Sequence, residues 1–275
     1  MKLFRKVAIV GVGLIGGSMG LAIKRKGLAR EVVGVSRHKR TLSLAKKARA
    51  IDKGSLDLRI IKDADLVILA TPVSAIMELA PKISKIISQG CIVTDVGSTK
   101  QEIVRRLTKI FPSYIGSHPL AGSEKHSIFY ARADIFKNSL CLLTPVKFTD
   151  RLALQKVERL WRDLGCRTQF LSPKAHDKVL SFASHLPHAL AFALISSVPA
   201  ECLKFASRGL KDTTRIAASD ATLWRDIFLS NRKNVLRAIG ILQQDLSRIK
   251  SAIAREDNNL LGRILKRAQE KRESL

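Results

Sequence analysis

The block Gly116-Ser117-His118-Pro119-Leu120-Ala121 sets a histidine at the end of an expected strand, about 100 residues beyond a glycine-rich turn, Gly11-Val12-Gly13-Leu14-Ile15-Gly16. An imidazole of ordinary pKa, about 6.5, takes up a proton at neutral pH. The turn has the GxGxxG spacing that brings a pyrophosphate against a helix N-terminus. Gly11 permits the tight turn, Gly13 admits the phosphate to the backbone, and Gly16 lets the helix pack on the sheet. A nicotinamide held there accepts hydride. A proton acceptor beside a hydride acceptor is what oxidation of an alcohol requires.

The pattern around these residues supplies the elements that must hold them. β-branched or near-continuous apolar runs at 6–10, 31–35, 66–70, 91–95 and 114–117 read as strands, and the stretches 14–26, 41–50, 73–88 and 100–110 between them as helices. Buried strands alternating with helices imply a doubly wound parallel sheet covered on both faces, a Rossmann-type α/β fold. Runs at 139–144 and 167–171 are further strands, with a helix at 151–164 between them. Beyond Leu171 only helical patterns remain, punctuated by Pro173, Pro187, Pro199 and Gly209, and the last segment repeats Ile239, Leu242, Leu246, Ile249 and Ile253 at spacings of three and four. The expected division is a dinucleotide-binding domain at 1–171 and an all-helical domain at 172–275. About 100 residues of helix make a small independent core. A second copy would supply the missing burial, so a homodimer through this half is expected.

The glycine turn directly follows a strand and opens a helix, the setting in which GxGxxG is specific. The backbone amides of Leu14 and Ile15 and the residue after the strand at 66–70, Thr71, are counted with Gly11, Gly13 and Gly16 as cofactor contacts. Sites for NAD carry an acid at the end of the second strand, whereas here the chain reads Val35-Ser36-Arg37-His38-Lys39-Arg40. Ser36 can donate to a phosphate and Arg37 can pair with it, so NADP is preferred, with NAD as the alternative.

With 275 residues, 46% of them hydrophobic, the chain can build a sizeable core. The opening Met1-Lys2-Leu3-Phe4-Arg5-Lys6 is too short and charged for a signal peptide, and His185, Pro187 and His188 interrupt the most apolar stretch, which favours a buried helix over a membrane span. A cytoplasmic location is expected. Four scattered cysteines without a CxxC pair point to buried thiols, not a disulfide frame or a zinc site. The net charge is +26, but the cations are spread along the chain and aromatics make up only 5% of it. That argues for a basic surface, with a few cations serving an anionic substrate, over a nucleic-acid partner.

Three more blocks accompany the histidine: Asp95-Val96-Gly97-Ser98-Thr99-Lys100, Ser184-His185-Leu186-Pro187-His188, and Lys211-Asp212-Thr213-Thr214-Arg215-Ile216-Ala217 followed by Trp224. Together with Gly116 to Glu124 and in this order, they resemble the prephenate/arogenate dehydrogenase family of tyrosine biosynthesis, from the first glycines to about Asn231. The resemblance implies oxidation of a small anionic cyclohexadienyl substrate at its hydroxyl, coupled to loss of CO2. It implies His118 as the proton acceptor and Ser98 as its partner or a contact to the same hydroxyl. Ser98 is equally placed to cap the helix that begins near Lys100. Arg215 is the implied carboxylate clamp, since guanidinium grips a carboxylate bidentately. His188 and Trp224 are further substrate contacts, and Glu124 pairs with Arg215 or shapes the entrance. His185 either bonds within the core or shares a substrate-facing side with His188. His176 is expected to be structural, and no metal is expected.

Two other readings fit parts of the chain. Another dehydrogenase of the same two-domain plan would use a lysine on the helical half, and no block suits that better than the histidine. A nucleotide-sensing binding protein would have lost His118 or Arg215, and both are present.

Overall fold

The computed structural model describes every residue except Met1, Ser123, Glu124 and His126. Eight strands form one sheet: β1 (Phe4–Val10), β2 (Ala29–Val35), β3 (Lys53–Ser55), β4 (Leu66–Leu69), β5 (Ile92–Asp95), β6 (Tyr114–Pro119), β7 (Leu140–Leu143) and β8 (Arg167–Phe170). Their order is β3-β2-β1-β4-β5-β6-β7-β8. The strand order reverses between β1 and β4, which makes a crevice at the C-terminal ends of the strands, where open α/β sheets bind ligands.

The first six strands are parallel, but β7 runs antiparallel to β6, with His118 opposite Leu142, and β8 is parallel to β7. The wholly parallel sheet expected from the strand-helix alternation is therefore mixed. Among its described residues the connection at 120–139 holds one short 3-10 turn, Ile128–Tyr130, and no α-helix. It stays at one end of the sheet, and antiparallel pairing is the geometry that permits this. The three-residue β3 escaped the sequence reading because an edge strand so short carries no periodic signal.

Alternate residues of each strand feed opposite layers. Val7 and Ile9 join Met19, Ile23, Phe136 and Trp161 under α1 (Leu14–Arg25), α2 (Lys39–Lys47) and α5 (Arg151–Asp163). Ala8 and Val10 join Ile76, Ile83, Val93 and Leu107 under α3 (Val73–Ser84) and α4 (Gln101–Leu107).

The remaining helices are α6 (Pro173–Leu180), α7 (Leu186–Ser197), α8 (Arg208–Thr214), α9 (Ala221–Ser230), α10 (Arg232–Ala254) and α11 (Asn258–Glu273). A π-helical turn, Ser181–His185, joins α6 to α7. The last segment breaks at Glu256, whose φ is +52°, and Asp257 restarts the chain by capping the amide of Leu260. Neither apolar core includes a residue of these helices. Pro173–Ser197 is long and apolar enough to cross a membrane by length and composition alone. Within α7 only Ala191 is buried, so the helix expected to be buried is largely uncovered in the single chain. Leu236, Leu246, Ile253 and Leu265 are likewise exposed. Of the cysteines, Cys91, Cys141 and Cys166 are buried and Cys202 is exposed, against the expectation for that one thiol.

Candidate active site

A cleft of about 1010 Å3 lies where the C-terminal ends of β1, β4, β5 and β6 meet the helical half. Its floor is the glycine turn. Gly11 has φ +99°, and a Cβ on it would stand 2.5 Å from the carbonyl oxygen of Ala70, so no other residue fits there without strain. A Cβ on Gly13 would meet nothing within 4 Å, which leaves open space above the N-terminus of α1. Gly16 packs against the backbone of Gly11. Leu14, Ile15 and Thr71 line the cleft beside Gly13. The Thr71 hydroxyl is buried with no hydrogen-bond partner among the described residues. An orphaned hydroxyl and an open cradle at a helix N-terminus fit a bound pyrophosphate dinucleotide.

At the end of β2, Ser36 is half-buried and its hydroxyl accepts from the amide of His38, while Arg37, His38, Lys39 and Arg40 are exposed. The strand end carries a hydroxyl and cations and no acid.

His118 stands on β6 and lines the cleft. Its Nδ1 is 2.9 Å from Nε2 of His176 on α6, and Nδ1 of His176 is 2.8 Å from Oδ1 of Asp177. The carboxylate of Asp177 also accepts the backbone amides of Lys100 at 2.7 Å and Gln101 at 2.9 Å. The N-terminus of α4 is thus capped from the other half of the chain. Ser98, which sequence placed equally well as that cap, makes no capping bond and instead lines the cleft, half-buried, beside His118. Sequence reading took His176 as structural and passed over Asp177. Their signal was the pair itself, His176-Asp177, adjacent in sequence near the start of α6.

Beneath His118 the buried ammonium of Lys100 pairs with Asp95 at 2.6 Å. Asp95 also accepts the Tyr114 hydroxyl at 2.7 Å and the Gly97 amide at 2.8 Å. Burial, and then the neighbouring Asp95 carboxylate, push the Tyr114 phenol well above its usual range. Burial pulls the pKa of His118 well below the ordinary histidine value, and the His176 ring and the Lys100 charge add to the effect. Burial lowers His176 too, against the pull of Asp177. His118 is accordingly neutral at neutral pH, the form in which it accepts a proton.

The far wall comes from the helical half. The π turn sets His185 and His188 toward one indole: His188 stacks on Trp224 with ring centroids 3.5 Å apart, and His185 meets it edge-on at 6.1 Å. His188 donates from Nδ1 to the carbonyl of Ser184, leaving Nε2 as its acceptor. His185 is buried, and its Nδ1 accepts from Asn231, whose amide nitrogen also serves the carbonyl of Asp177. Trp224 is buried and props His188 from behind. Arg215 begins a 3-10 turn on the cleft wall; burial lowers the pKa of His188, and the Arg215 charge adds to that effect. The Arg215 side chain is exposed. Glu124, expected near Arg215, lies outside the described residues. Among the described residues no group of three metal-ligating side chains occurs.

A Rossmann-type sheet, a dinucleotide cradle and a neutral histidine facing it across one cleft define a dinucleotide-dependent oxidoreductase. The comparisons narrow the class. Residues 19–170 match the prephenate dehydrogenase nucleotide-binding domain, and residues 172–267 match the prephenate dehydrogenase dimerization domain. The chain is 33% identical to a prephenate dehydrogenase of Bacillus subtilis, over 98% of this chain and 76% of that one. It is 32% identical to a cyclohexadienyl dehydrogenase of Zymomonas mobilis, over 100% of this chain and 97% of that one. The crystal structure of prephenate dehydrogenase from A. aeolicus in complex with hydroxyphenyl propionate and NAD+ superposes with a TM-score of 0.93 at 38% identity, covering 98% of each chain. This chain belongs to the prephenate dehydrogenase family, the NAD(P)-dependent oxidoreductases of tyrosine biosynthesis.

Proposed function

We propose that the cleft oxidises prephenate or arogenate at the ring hydroxyl with loss of the ring carboxylate, and that His118 is its base. The observation that carries this reading is the imidazole of His118 at the end of β6, in the same cleft as the open cradle over Gly13. The bound nicotinamide ring supplies a hydride acceptor for the carbinol hydrogen of the substrate. His118 takes the hydroxyl proton as the C–O bond becomes a carbonyl. When the bond to the ring carboxylate breaks, its electron pair enters the ring, CO2 leaves, and the ring becomes aromatic. The oxygen that lost its proton regains one from His118, so the imidazole ends neutral. Ser98 orients the hydroxyl or the His118 ring. Arg215 holds a carboxylate of the substrate, and His188, braced by Trp224, lines the ring's other side.

NADP is the preferred cofactor in this reading, because the end of β2 offers Ser36 and Arg37 to a 2′-phosphate and no acid to a free 2′-hydroxyl. The solved relative holds NAD+, so the choice needs its own measurement: a kcat/KM with NAD above that with NADP overturns it. The half-buried apolar side chains of α7 and the exposed Leu236, Leu246 and Ile253 of α10 close against a second copy, in keeping with the dimerization domain that this half matches. The proposed location is the cytoplasm. The test of the base is His118→Asn, followed at the absorbance of reduced nicotinamide. Turnover should be abolished while dinucleotide binding survives, and an unimpaired kcat would remove His118 from the mechanism.

A further inference from the structure

We propose that His176 and Asp177 are positioning residues that fix the tautomer of His118, leaving the lone pair on its Nε2 for the cleft. The inference rests on His118 being the base, and it explains how a neutral histidine is held in the one form that serves.

The argument is an accounting of donors. A backbone N–H can only donate. The amides of Lys100 and Gln101 both point at Asp177, so its carboxylate acts as an acceptor. The contact of 2.8 Å between Oδ1 of Asp177 and Nδ1 of His176 therefore requires a proton on that nitrogen. Burial keeps His176 neutral, so its Nε2 carries a lone pair. That lone pair faces Nδ1 of His118 at 2.9 Å, and the contact is a hydrogen bond only if His118 is protonated on Nδ1. Neutral His118 is then unprotonated on Nε2, the nitrogen on the opposite side of the ring and the one left for the cleft.

The opposite tautomer would put a proton where the substrate hydroxyl must deliver one. Isolated imidazoles populate both forms, so the selection has to come from a partner. The arrangement resembles the logic by which a buried carboxylate orients the histidine of a serine hydrolase triad, with a second imidazole inserted between acid and base. That insertion has a structural cause. Asp177 is occupied in capping α4, and the neighbouring His176 bridges from it to His118. The same carboxylate thus ties the helical half to the sheet and sets the state of the base.

Two substitutions and one spectrum test the assignment. His176→Leu leaves His118 without an acceptor, and kcat should fall by about 10^2 to 10^4, the order seen when a catalytic histidine is released into the wrong tautomer. KM and dinucleotide binding should change little. His176→Gln keeps an amide oxygen near the Nε2 position and should recover at least about tenfold of the loss. A merely structural His176 would make the two variants alike, and equal kcat values would overturn the proposal. In the unsubstituted protein, nitrogen NMR of labelled histidines should show His118 protonated on Nδ1 at neutral pH. A proton on Nε2 would overturn the proposal even if neither variant folds. Failure here is separable from failure of the base itself. An inactive His118→Asn beside fully active His176 variants removes the relay alone, whereas an active His118→Asn removes the base.

Discussion

Lys100 and Asp95 form an ion pair of 2.6 Å with both side chains wholly excluded from solvent, close enough to His118 for the Lys100 charge to act on its ring. Taking two charges out of water costs several kcal/mol each, and the pair is tolerable only because Asp95 is also satisfied by Tyr114 and Gly97. Its place at the start of α4, beside the amides that Asp177 caps, makes it the joint between the sheet and the base.

Removal of one partner leaves the other as an uncompensated buried charge. Lys100→Met should therefore destabilise the fold by about 3–5 kcal/mol in denaturant titration. A loss under about 1 kcal/mol would show that Asp95 finds relief elsewhere.

Acid should weaken the fold through its buried histidines. Burial brings the pKa of His185 down to about 4. Between the unfolded value of about 6.5 and the folded value the unfolded chain binds more protons, so stability is complete above pH 6.5 and is lost as pH falls toward 4. For His185 alone the loss is roughly 3 kcal/mol, and His118 and His176 shift in the same direction. The base form of His118 persists below pH 6.5 for the same reason, so kcat should stay level from neutral pH into mildly acid conditions. Unfolding midpoints measured from pH 7.5 to 4.5 check the first claim. A kcat that halves near pH 6.5 would contradict the second.

Arg215→Ala should raise KM by about tenfold or more and leave kcat within a few-fold, because a carboxylate clamp holds ground state and transition state alike. An unchanged KM would place the clamp on another cation.

The end of β2 admits a direct cofactor test. Ser36→Asp sets a carboxylate where a 2′-phosphate would lie and should turn the ratio of kcat/KM toward NAD by about tenfold or more. A ratio that does not move would mean that this strand end does not read the ribose.

The outward stripe of α10 should be the site of self-association. Leu246→Asp combined with Ile253→Asp buries two charges in the proposed seam and should halve the mass seen by light scattering. A variant that retained the mass of two chains would move the interface elsewhere.

Much of this molecule was legible in its residues. Apolar strands alternating with helices gave the layered α/β half, because a sheet covered on both sides must be apolar on both sides. The glycine turn announced the cradle, since its backbone demands are met by one residue type. His118, Ser98, His188, Arg215 and Trp224 were all singled out, and all five line one cleft. What the residues could not convey was partnership across distance. Strand direction at β7 depends on where a loop returns, and His176 looked structural because its value lies in a contact with a residue 58 positions away. Asp177 escaped notice because a carboxylate beside a histidine in sequence says nothing of the amides it will meet at α4. Local chemistry is written in residue type and spacing. Tautomer, burial and charge at the base are set by neighbours that only the folded chain brings within a bond's length.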